Sequence, residues 1–298
     1  MENKFPGKDI TSEDLISKFP LAAKKAPDHR SIFKVGSVEF GGDLIPVMAG
    51  PNTVETEDLI LKTAHAVKKA GAQILRGGAF KPLSFPYRSE KYFEPREKGL
   101  QWLSKARAET GLLIITEIME ERFVPLVAEH ADILQVGTRN MQNFPLLTAV
   151  AKTGKPIMLK RHYGASLRDW LGAAEYILIE GNSRVMLCER GVSVPHTHRA
   201  TSRFLLDLQV IPAAKEVTHL PVVTDPSHAT FWRPWVKPMA LASIAAGADG
   251  IMLEVHPDPQ NAAVDPLQPI DFDAFGELMN DMERVASAVG RTVRSAGA

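Results

Sequence analysis

Residues 45–82 read IPVMAGPNTVETEDLILKTAHAVKKAGAQILRGGAFKP, and this stretch decides the fold class. It begins with a short aliphatic run at residues 45–49 and continues through an amphipathic segment at residues 56–70. It ends on a second apolar run at residues 73–76. Apolar residues recur at helical spacing in the middle segment. Two short buried strands joined by a helix are typical of a parallel β-α-β unit.

The same alternation of a short apolar run and a longer amphipathic segment repeats along the chain. Eight repeats over about 250 residues predict a (β/α)8 TIM barrel, an α/β fold, and a last amphipathic segment at residues 271–289 predicts its closing helix. An open doubly wound sheet is the structural alternative, but no GxGxxG motif follows the first run. The runs are residues 45–49, 73–76, 112–116, 132–136, 156–160, 184–188, 220–224 and 250–254.

Upstream of the barrel, the sequence predicts two small features. Residues 11–19 have the pattern of a short helix, with Ser12 as a candidate N-cap. Residues 32–44 alternate apolar and polar side chains through three glycines, which predicts a short β-hairpin that forms a lid over one end of the barrel. We therefore expect an N-terminal extension with a hairpin at residues 1–44 and a catalytic barrel at residues 45–298.

Composition excludes several classes of protein. The chain has 298 residues and a formal net charge of +0, which argues against a nucleic-acid partner or an anionic membrane surface. A single cysteine, Cys188, excludes an internal disulfide framework and fits a reducing compartment. No apolar run reaches the roughly 18 residues of a membrane span, and the first residues are too charged for a signal peptide. We expect a cytoplasmic protein.

The stretch RGGAFK at residues 76–81 has the layout of an anion site. Arg76 and Lys81 supply positive charge, and two glycines between them let the backbone approach what the arginine binds. Many Gly-Gly loops are only turns, so the motif alone is a weak signal.

Further cations follow the other runs. The active site of this fold lies at the C-terminal ends of the strands, so these side chains should converge. Any single one is as well explained by a solvated loop charge or an ion pair. Gathering all of these cations at one barrel mouth would cost free energy unless anions balanced them. Glu117, Glu189 and Asp225 are too few to do so. We therefore predict a ligand with phosphate and carboxylate groups. The five cations are Arg76, Lys81, Arg139, Lys160 and Arg190.

A second polar cluster follows the last two runs. His228, Glu254 and Asp265, near Asp225 and His256 in the sequence, offer nitrogen and oxygen ligands that would suit a divalent transition metal. The alternative is a hydrogen-bonded histidine with acidic neighbours. His65 and His219 are interpreted as structural, and His196 and His198 as solvent-exposed residues of the loop after the sixth run.

Nine motifs occur in a recognisable order: AGPNTVE, RGGAFKP, TE, GTRNMQNF, LKR, CERG, HLPVVTDPSHA, AAGADGIMLEVHPDP and VDPLQ. They closely resemble those of the 3-deoxy-D-arabino-heptulosonate 7-phosphate (DAHP) synthases of the short class I beta type. The related 3-deoxy-D-manno-octulosonate 8-phosphate synthases share part of the pattern. The resemblance covers roughly residues 32–290. It implies a (β/α)8 barrel, expected as a homodimer or homotetramer, that joins phosphoenolpyruvate to an aldose phosphate.

The resemblance also implies roles for individual residues. The five cations match the family's phosphoenolpyruvate-binding residues, and the implied reaction is attack of the phosphoenolpyruvate methylene carbon on an aldehyde. Water then adds at the adjacent carbon and phosphate is lost. Glu117 matches an acid that positions the phosphoenolpyruvate site and its water, and Ser84 is a further expected substrate-binding residue. The expected catalytic residues are Lys81, Glu117, His228 and Asp265, and the matched metal ligands are His228, Glu254 and Asp265.

Three departures from the family pattern concern the metal and the aldehyde. Asn52 stands where the family's first metal ligand is a cysteine, and a neutral amide is a poor ligand for borderline metals. Metal-independent octulosonate phosphate synthases also carry asparagine there. We therefore expect no required cofactor, or a weakly bound divalent metal such as Mn, Co or Zn.

The other two departures lie on the aldehyde side. Leu83 and Phe85 flank Ser84 where the family has an arginine that holds the aldose phosphate, followed by small hydroxyl residues. Residues 230–233 and 193–194 also differ, the latter in a longer loop. We predict that phosphoenolpyruvate is retained as the donor and that the acceptor is unphosphorylated or more apolar. The alternative is that another cation anchors the usual phosphate, for which the candidates are Arg88, His162 and Arg233.

Two competing functions remain. A Schiff-base aldolase would use Lys160 or Lys81 as its nucleophile on the same barrel. A non-catalytic regulatory homologue would explain a lost metal site, but the five cations are intact.

Overall fold

The computed structural model describes residues 16–81, 94–199 and 204–294, in which eight parallel strands close into a barrel. The last barrel strand pairs with the first through Met252 and Met48, so the open doubly wound sheet is excluded. Each predicted run forms one barrel strand, with bounds that differ by at most two residues. In chain order the strands are β1 (Phe33–Val35), β2 (Val38–Phe40), β3 (Val47–Gly50), β4 (Ile74–Arg76), β5 (Leu113–Ile118), β6 (Ile133–Val136), β7 (Ile157–Lys160), β8 (Val185–Glu189), β9 (Val192–Ser193), β10 (Phe204–Leu205), β11 (Val222–Thr224) and β12 (Gly250–Glu254).

Helices cover the outside of the barrel. Thr56 caps the first, with its hydroxyl oxygen accepting from the backbone of Leu59, and Asp271 caps the last in the same way. The helices predicted at residues 56–70 and 271–289 are thus confirmed. Within the described ranges, no helix is long and apolar enough to cross a membrane. The helices are α1 (Glu57–Ala70), α2 (Arg96–Thr110), α3 (Val124–His130), α4 (Phe144–Ala151), α5 (Leu167–Leu178), α6 (Val210–Val217), α7 (Pro226–Thr230), α8 (Arg233–Ala245) and α9 (Phe272–Ala288).

The predicted N-terminal hairpin is present as β1 and β2, which pair in antiparallel fashion. Gly36 in its turn has a φ of 55°, and a Cβ there would lie 3.2 Å from Leu113 at the start of β5. Phe40 packs into the barrel interior with Met48 and Ile74. The hairpin therefore closes the barrel at the N-terminal ends of its strands, opposite the mouth where the site is expected.

The segment before the hairpin is only partly described. Residues 16–18 are helical, whereas Ser12, the predicted N-cap, and the first turn of the predicted helix lie outside the described residues. The division of the chain into an extension at residues 1–44 and a barrel at residues 45–298 stays a prediction.

Cys188 lies in the apolar interior of the barrel, where burial raises the pKa of its thiol to about 12. The thiolate is the form that reacts with alkylating agents. We expect iodoacetamide at neutral pH to leave the native protein unmodified and to label this cysteine once the protein is unfolded in guanidinium. Intact-mass measurement of both samples checks this, and rapid labelling of the native protein would contradict the buried placement.

A second small hairpin, which the sequence analysis did not predict, follows β8. It consists of β9 and β10, in which Phe204 pairs with Ser193. Strands of two residues are too short to show an alternating pattern. The hairpin is important for the site because it brings Phe204 back to the mouth of the barrel.

Candidate active site

A cavity of about 430 Å³ opens at the C-terminal ends of the barrel strands. Its volume falls within the roughly 300–1,000 Å³ that is usual for small-molecule sites. Glu117 and His228 line it, and so do all five predicted cations. The cavity therefore brings together the side chains that the sequence predicts at the strand ends. Its other lining residues are Gln135, Gly137, Thr138, Tyr163, Ser193 and Phe204.

Among the residues that the structure describes, two of the five cations pair with buried carboxylates. Arg76 Nη1 lies 3.5 Å from Glu254 Oε1, and Lys160 Nζ lies 2.5 Å from Asp225 Oδ2. The side chains of Asp225 and Glu254 are fully buried. Glu254 was not among the acids weighed against the five cations, so the excess of positive charge at the mouth is smaller than the sequence indicates. Burying these charges is tolerable only because each has a partner.

The two glycines of the RGGAFK motif have a packing role that the sequence did not indicate. A Cβ on Gly78 would lie 2.8 Å from the carbonyl oxygen of Asn52, and one on Gly77 would lie 3.0 Å from Val54. The backbone N–H of Val54 also donates to the carbonyl of Gly78 at 2.9 Å. The two glycines are thus required by close packing between the loops after β3 and β4.

Lys81 lies at the edge of the cavity, and its backbone N–H donates to Glu94 Oε1 at 3.0 Å. Burial lowers the pKa of its ammonium, Glu117 raises it, and neighbouring Arg76 lowers it again. Arg76 and Lys81 therefore face the same space, as the motif predicts. Their mutual repulsion favours an anion between them.

Arg190 is held by an aromatic ring. Its guanidinium carbon lies 4.4 Å from the ring centroid of Phe204, and Nη2 donates to the carbonyl of His228 at 3.5 Å. Arg139 lies in a single 3₁₀ turn at Thr138–Asn140, directly after β6, and its side chain is exposed. These two arginines project into the cavity from the loops after β8 and β6.

The side chain of Glu117, near the C-terminal end of β5, lies beside the loop that follows β6. A Cβ on Gly137 would lie only 1.8 Å from Glu117 Oε1. Glycine at position 137 therefore leaves the space that the carboxylate occupies, and any side chain there would displace Glu117 from the cavity wall.

His228 lies between two buried carboxylates. Its Nδ1 is 2.8 Å from Asp225 Oδ2 and its Nε2 is 3.0 Å from Glu254 Oε1. Burial raises the pKa of both acids, but His228 and Lys160 together hold the pKa of Asp225 well below its usual range. His228, followed by Arg76, also lowers the pKa of Glu254. Both carboxyls are therefore charged at neutral pH.

Asn52 and Asp265 complete the side of the site near β3. Asn52 Oδ1 accepts from Arg76 Nη2 at 3.0 Å, and its Nδ2 donates to Asp265 Oδ2 at 2.9 Å. Asp265 has a φ of 52°, an uncommon conformation for a residue with a side chain. Asn52 thus bridges Arg76 and Asp265: its amide oxygen accepts from the arginine, and its amide nitrogen donates to the aspartate.

These residues do not fit a divalent metal. Among the described residues, no group of three His, Cys, Asp or Glu side chains is arranged to hold one. Glu254 Oε2 is buried without a hydrogen-bond partner in the described part of the chain, so it offers one ligand. The oxygen of Asn52, however, faces the positive guanidinium of Arg76 at 3.0 Å. A cation next to that guanidinium would be repelled.

The other histidines lie away from the cluster. His256, near the predicted metal set in sequence, instead places Nε2 3.2 Å from Glu55 Oε1. His219 Nδ1 lies 2.7 Å from Ser31 Oγ, and its ring stacks on His29, so its structural role is confirmed. His196 and His198 are exposed, as predicted, whereas His65, which was predicted to be structural, is also exposed and lies 3.1 Å from Glu109 Oε2.

Sequence reasoning missed a buried ion-pair network beside the cavity. Arg161 Nη1 donates to Glu189 Oε2 at 3.0 Å and to Asp207 Oδ2 at 2.8 Å. Glu189, which the sequence analysis counted against the five cations, is thus paired elsewhere. Gln268 was also missed, and its Nε2 donates to Glu254 Oε1 at 2.6 Å. Because Arg161 follows Lys160 directly at the end of a strand, its position near the mouth could be predicted from the sequence, but its two partners could not.

The departures on the aldehyde side are only partly described. Leu83, Ser84, Phe85 and Arg88 lie outside the described residues. Arg233 donates to the carbonyls of Pro269 and Pro266 and does not line the cavity, which argues against it as a phosphate anchor. The ring of His162 lies against that of Tyr163, with the centroids 4.1 Å apart and the planes inclined by 33°.

The chain is similar to several known proteins. A family model described as the DAHP synthetase I family matches residues 19–289. The phospho-2-dehydro-3-deoxyheptonate aldolase of Thermotoga maritima is 38% identical over 276 residues, which cover 93% of this chain and 80% of the relative. A 2-dehydro-3-deoxyphosphooctonate aldolase of Nitratidesulfovibrio vulgaris is 30% identical over 257 residues, covering 81% of this chain and 92% of that protein.

Solved structures agree with these relationships. The crystal structure of the Thermotoga maritima DAHP synthase matches with a TM-score of 0.84 and 38% identity, over 91% of this chain and 78% of that one. A truncated form of the 3-deoxy-D-arabino-heptulosonate 7-phosphate synthase from the same organism matches with a TM-score of 0.83 and 37% identity, over 92% of this chain and 99% of the other. With its closed barrel and the cavity at the strand ends, this chain belongs to the DAHP synthetase I family.

Proposed function

We propose that this protein forms a carbon-carbon bond between phosphoenolpyruvate and an aldehyde and releases phosphate. DAHP synthesis, the reaction for which the relatives are named, is its most conservative form and would place the protein in aromatic amino acid biosynthesis, through the shikimate pathway. The observation that carries the proposal is that Arg76, Lys81, Arg139, Lys160 and Arg190 all line one cavity with Glu117 and His228.

In this proposal the cations hold and orient the donor. Phosphoenolpyruvate carries a carboxylate and a phosphate, and five cations around one cavity supply donors for both. Preorganised cations also stabilise the charge that develops on the departing phosphate. Ser84 is proposed as a further substrate-binding residue on the basis of the sequence alone.

The proposed catalytic residues surround the same space. Lys81, with its pKa lowered by burial, lies where it can exchange a proton with the bound donor. Glu117 is proposed to orient the water that adds to the adjacent carbon. His228 and Asp265 are proposed to act on the aldehyde side, each fixed by a neighbour: His228 by Asp225 and Asp265 by Asn52.

The reaction is proposed to need no metal, because Asn52 binds Arg76 and Asp265 through its amide. We expect protein purified and dialysed against EDTA to keep its activity and to contain far less than one divalent metal per chain. Atomic absorption with parallel activity measurements checks this. Loss of activity on dialysis that Mn, Co or Zn restores at one ion per chain would contradict it, and Asn52→Cys is the matched variant in which metal dependence is expected to appear.

Product analysis tests the proposed reaction. The protein is incubated with phosphoenolpyruvate and, separately, with erythrose 4-phosphate, arabinose 5-phosphate or an unphosphorylated aldehyde. We expect mass spectrometry to find a product that contains the acceptor and the three carbons of the donor. We expect an acceptor other than erythrose 4-phosphate to give the most product. If erythrose 4-phosphate is strongly preferred, the altered acceptor is wrong and the activity is DAHP synthesis.

The Schiff-base aldolase is the alternative, and the lowered pKa of Lys81 favours it because a neutral amine is the nucleophilic form. Lys160 is unsuited, since its ammonium is paired with Asp225 at 2.5 Å. Borohydride in the presence of pyruvate would add a stable mass to Lys81 in a Schiff-base enzyme, and we expect none. The cytoplasmic location and the homodimer or homotetramer stay predictions.

A further inference from the structure

We propose that Arg233 is a positioning residue for the reaction, and that it fixes the segment at residues 265–269, which brings Asp265 and Gln268 to the site. The inference rests on the proposed function, because it concerns a residue that acts through the aldehyde side of the same site. Arg233 lies at the start of α8 and does not line the cavity, so its effect must pass through the residues that it holds.

The segment at residues 265–269 contributes two side chains to the site. Asp265 Oδ2 accepts from Asn52 Nδ2 at 2.9 Å, and Gln268 Nε2 donates to Glu254 Oε1 at 2.6 Å. Gln268 is fully buried, and the same oxygen of Glu254 lies 3.0 Å from His228 Nε2. The position of the segment therefore sets Asp265 directly and His228 through Glu254.

The segment cannot hold its own shape by regular backbone pairing. Pro266 and Pro269 have no N–H to donate. Within the segment, the backbone N–H of Gln268 donates to the carbonyl of Asp265 at 3.2 Å. Asp265 has a φ of 52°, which a residue with a side chain keeps only when its surroundings enforce it. The segment therefore needs partners from elsewhere in the fold.

Arg233 supplies these partners with three hydrogen bonds. Its backbone N–H donates to the carbonyl of Leu267 at 2.8 Å, its Nε donates to that of Pro269 at 2.5 Å, and its Nη2 donates to that of Pro266 at 2.8 Å. In the described part of the chain, no other residue outside the segment donates to these carbonyls. The planar guanidinium holds its two donors in a fixed geometry, which a flexible ammonium does not.

Asp265 lies between this contact and a second one. On its other side, the backbone N–H of Ala263 donates to Glu55 Oε1 at 3.0 Å. Arg233 also follows His228 by only five residues, so the stretch of chain that carries His228 also holds the segment with Asp265. Arg233 thus couples the two residues that are proposed to act on the aldehyde.

Steady-state kinetics of Arg233→Met test the inference, with the best acceptor among erythrose 4-phosphate, arabinose 5-phosphate and erythrose. The variant loses both side-chain donors and leaves the carbonyl of the buried Pro269 without its partner, so the segment can shift. We expect kcat to fall by up to about 100-fold, the cost of misplacing a reacting group by about 1 Å. The Kd for phosphoenolpyruvate, measured by calorimetry without an aldehyde, should stay the same, because the five cations lie on other segments. Arg284→Met removes an 83% exposed arginine and should change neither quantity.

A double-mutant cycle separates positioning from a general loss of stability. If Arg233 acts through Asp265, Arg233→Met should cost much less in kcat when it is made in the Asp265→Asn background. The same fold loss in both backgrounds would overturn the inference, since a merely structural role would act independently of Asp265.

Hydrogen exchange examines the segment without relying on activity. The amides at residues 265–270 should exchange faster in Arg233→Met than in wild type, while those of α9 keep their rates. Arg233→Lys keeps one donor and should show smaller changes of the same kind, which keeps the inference testable if Arg233→Met does not fold. Unchanged exchange in the segment, or a weakened Kd for phosphoenolpyruvate, would overturn the inference. A wild type that consumes no donor with any aldehyde would overturn the proposed function, and the exchange rates would still decide whether Arg233 holds the segment.

Discussion

Replacement of Lys160 by methionine is expected to lower kcat/KM for phosphoenolpyruvate by about two to three orders of magnitude, the usual cost of removing one preorganised donor. Lys160 lines the cavity and is paired with Asp225 at 2.5 Å, with only 5% of its side chain exposed. The same change removes one of the two partners of the buried Asp225 carboxylate and leaves it with His228 alone. We therefore also expect the free energy of unfolding to fall by about 3–5 kcal/mol.

A double variant separates the two effects. Asp225→Asn in the Lys160→Met background removes the uncompensated charge and keeps an oxygen that can accept from the backbone N–H of His228. Urea unfolding should show most of the lost stability recovered, while steady-state kinetics should show no recovery of activity. Lys62→Met, at a surface pair with 65% of the lysine exposed, is the control and should change neither measurement. Full activity of Lys160→Met would contradict its proposed place in the donor site.

Arg161→Met is expected to destabilise the fold by about 3–5 kcal/mol, because it leaves the buried carboxylate of Glu189 without its cation. Arg161 contacts both Glu189 and Asp207, which ties the end of β7 to the segment that carries the β9–β10 hairpin. Urea unfolding followed by circular dichroism measures the loss. An unchanged midpoint would show that the network contributes nothing to stability.

The same variant should show a dependence of stability on pH that extends to higher pH than in the wild type. Burial raises the pKa of Glu189, and Arg161 counteracts this. Without Arg161, the folded-state pKa rises further above the unfolded value of about 4.3. The folded state then binds more protons than the unfolded state between these two pKa values, so the free energy of unfolding falls as pH rises. The double variant Arg161→Met with Glu189→Gln should lose this slope, and its persistence there would assign it to another group.

The fold was predictable because its signal is local and repeated. Each run of β-branched or aliphatic residues, such as residues 184–188, is long enough to mark a buried strand, and eight of them leave little choice of architecture. Strand direction then places Arg76, Lys160 and Arg190 at one end of the barrel. Positions at strand ends could therefore be assigned to one site before any contact was known.

Pairing could not be predicted in the same way. Whether Lys160 meets Asp225, and Arg161 meets Glu189, depends on side-chain direction across the barrel, which the order of motifs does not encode. Asn52 could be recognised from the sequence as a departure from the family pattern, but its hydrogen bonds to Arg76 and Asp265 could not. Phe204 was missed as a lining residue of the cavity because it returns to the mouth only through a two-residue strand pair.

Phosphate release from phosphoenolpyruvate is the most direct test of the proposed function. The protein is stripped of metal, and inorganic phosphate is measured with and without an aldehyde, beside the Lys160→Met, Asp225→Asn double variant. We expect release only when an aldehyde is present, with one phosphate for each acceptor consumed, and almost none from the double variant. Release that is independent of aldehyde, or no release with any aldehyde, would contradict a carbon-carbon bond-forming enzyme.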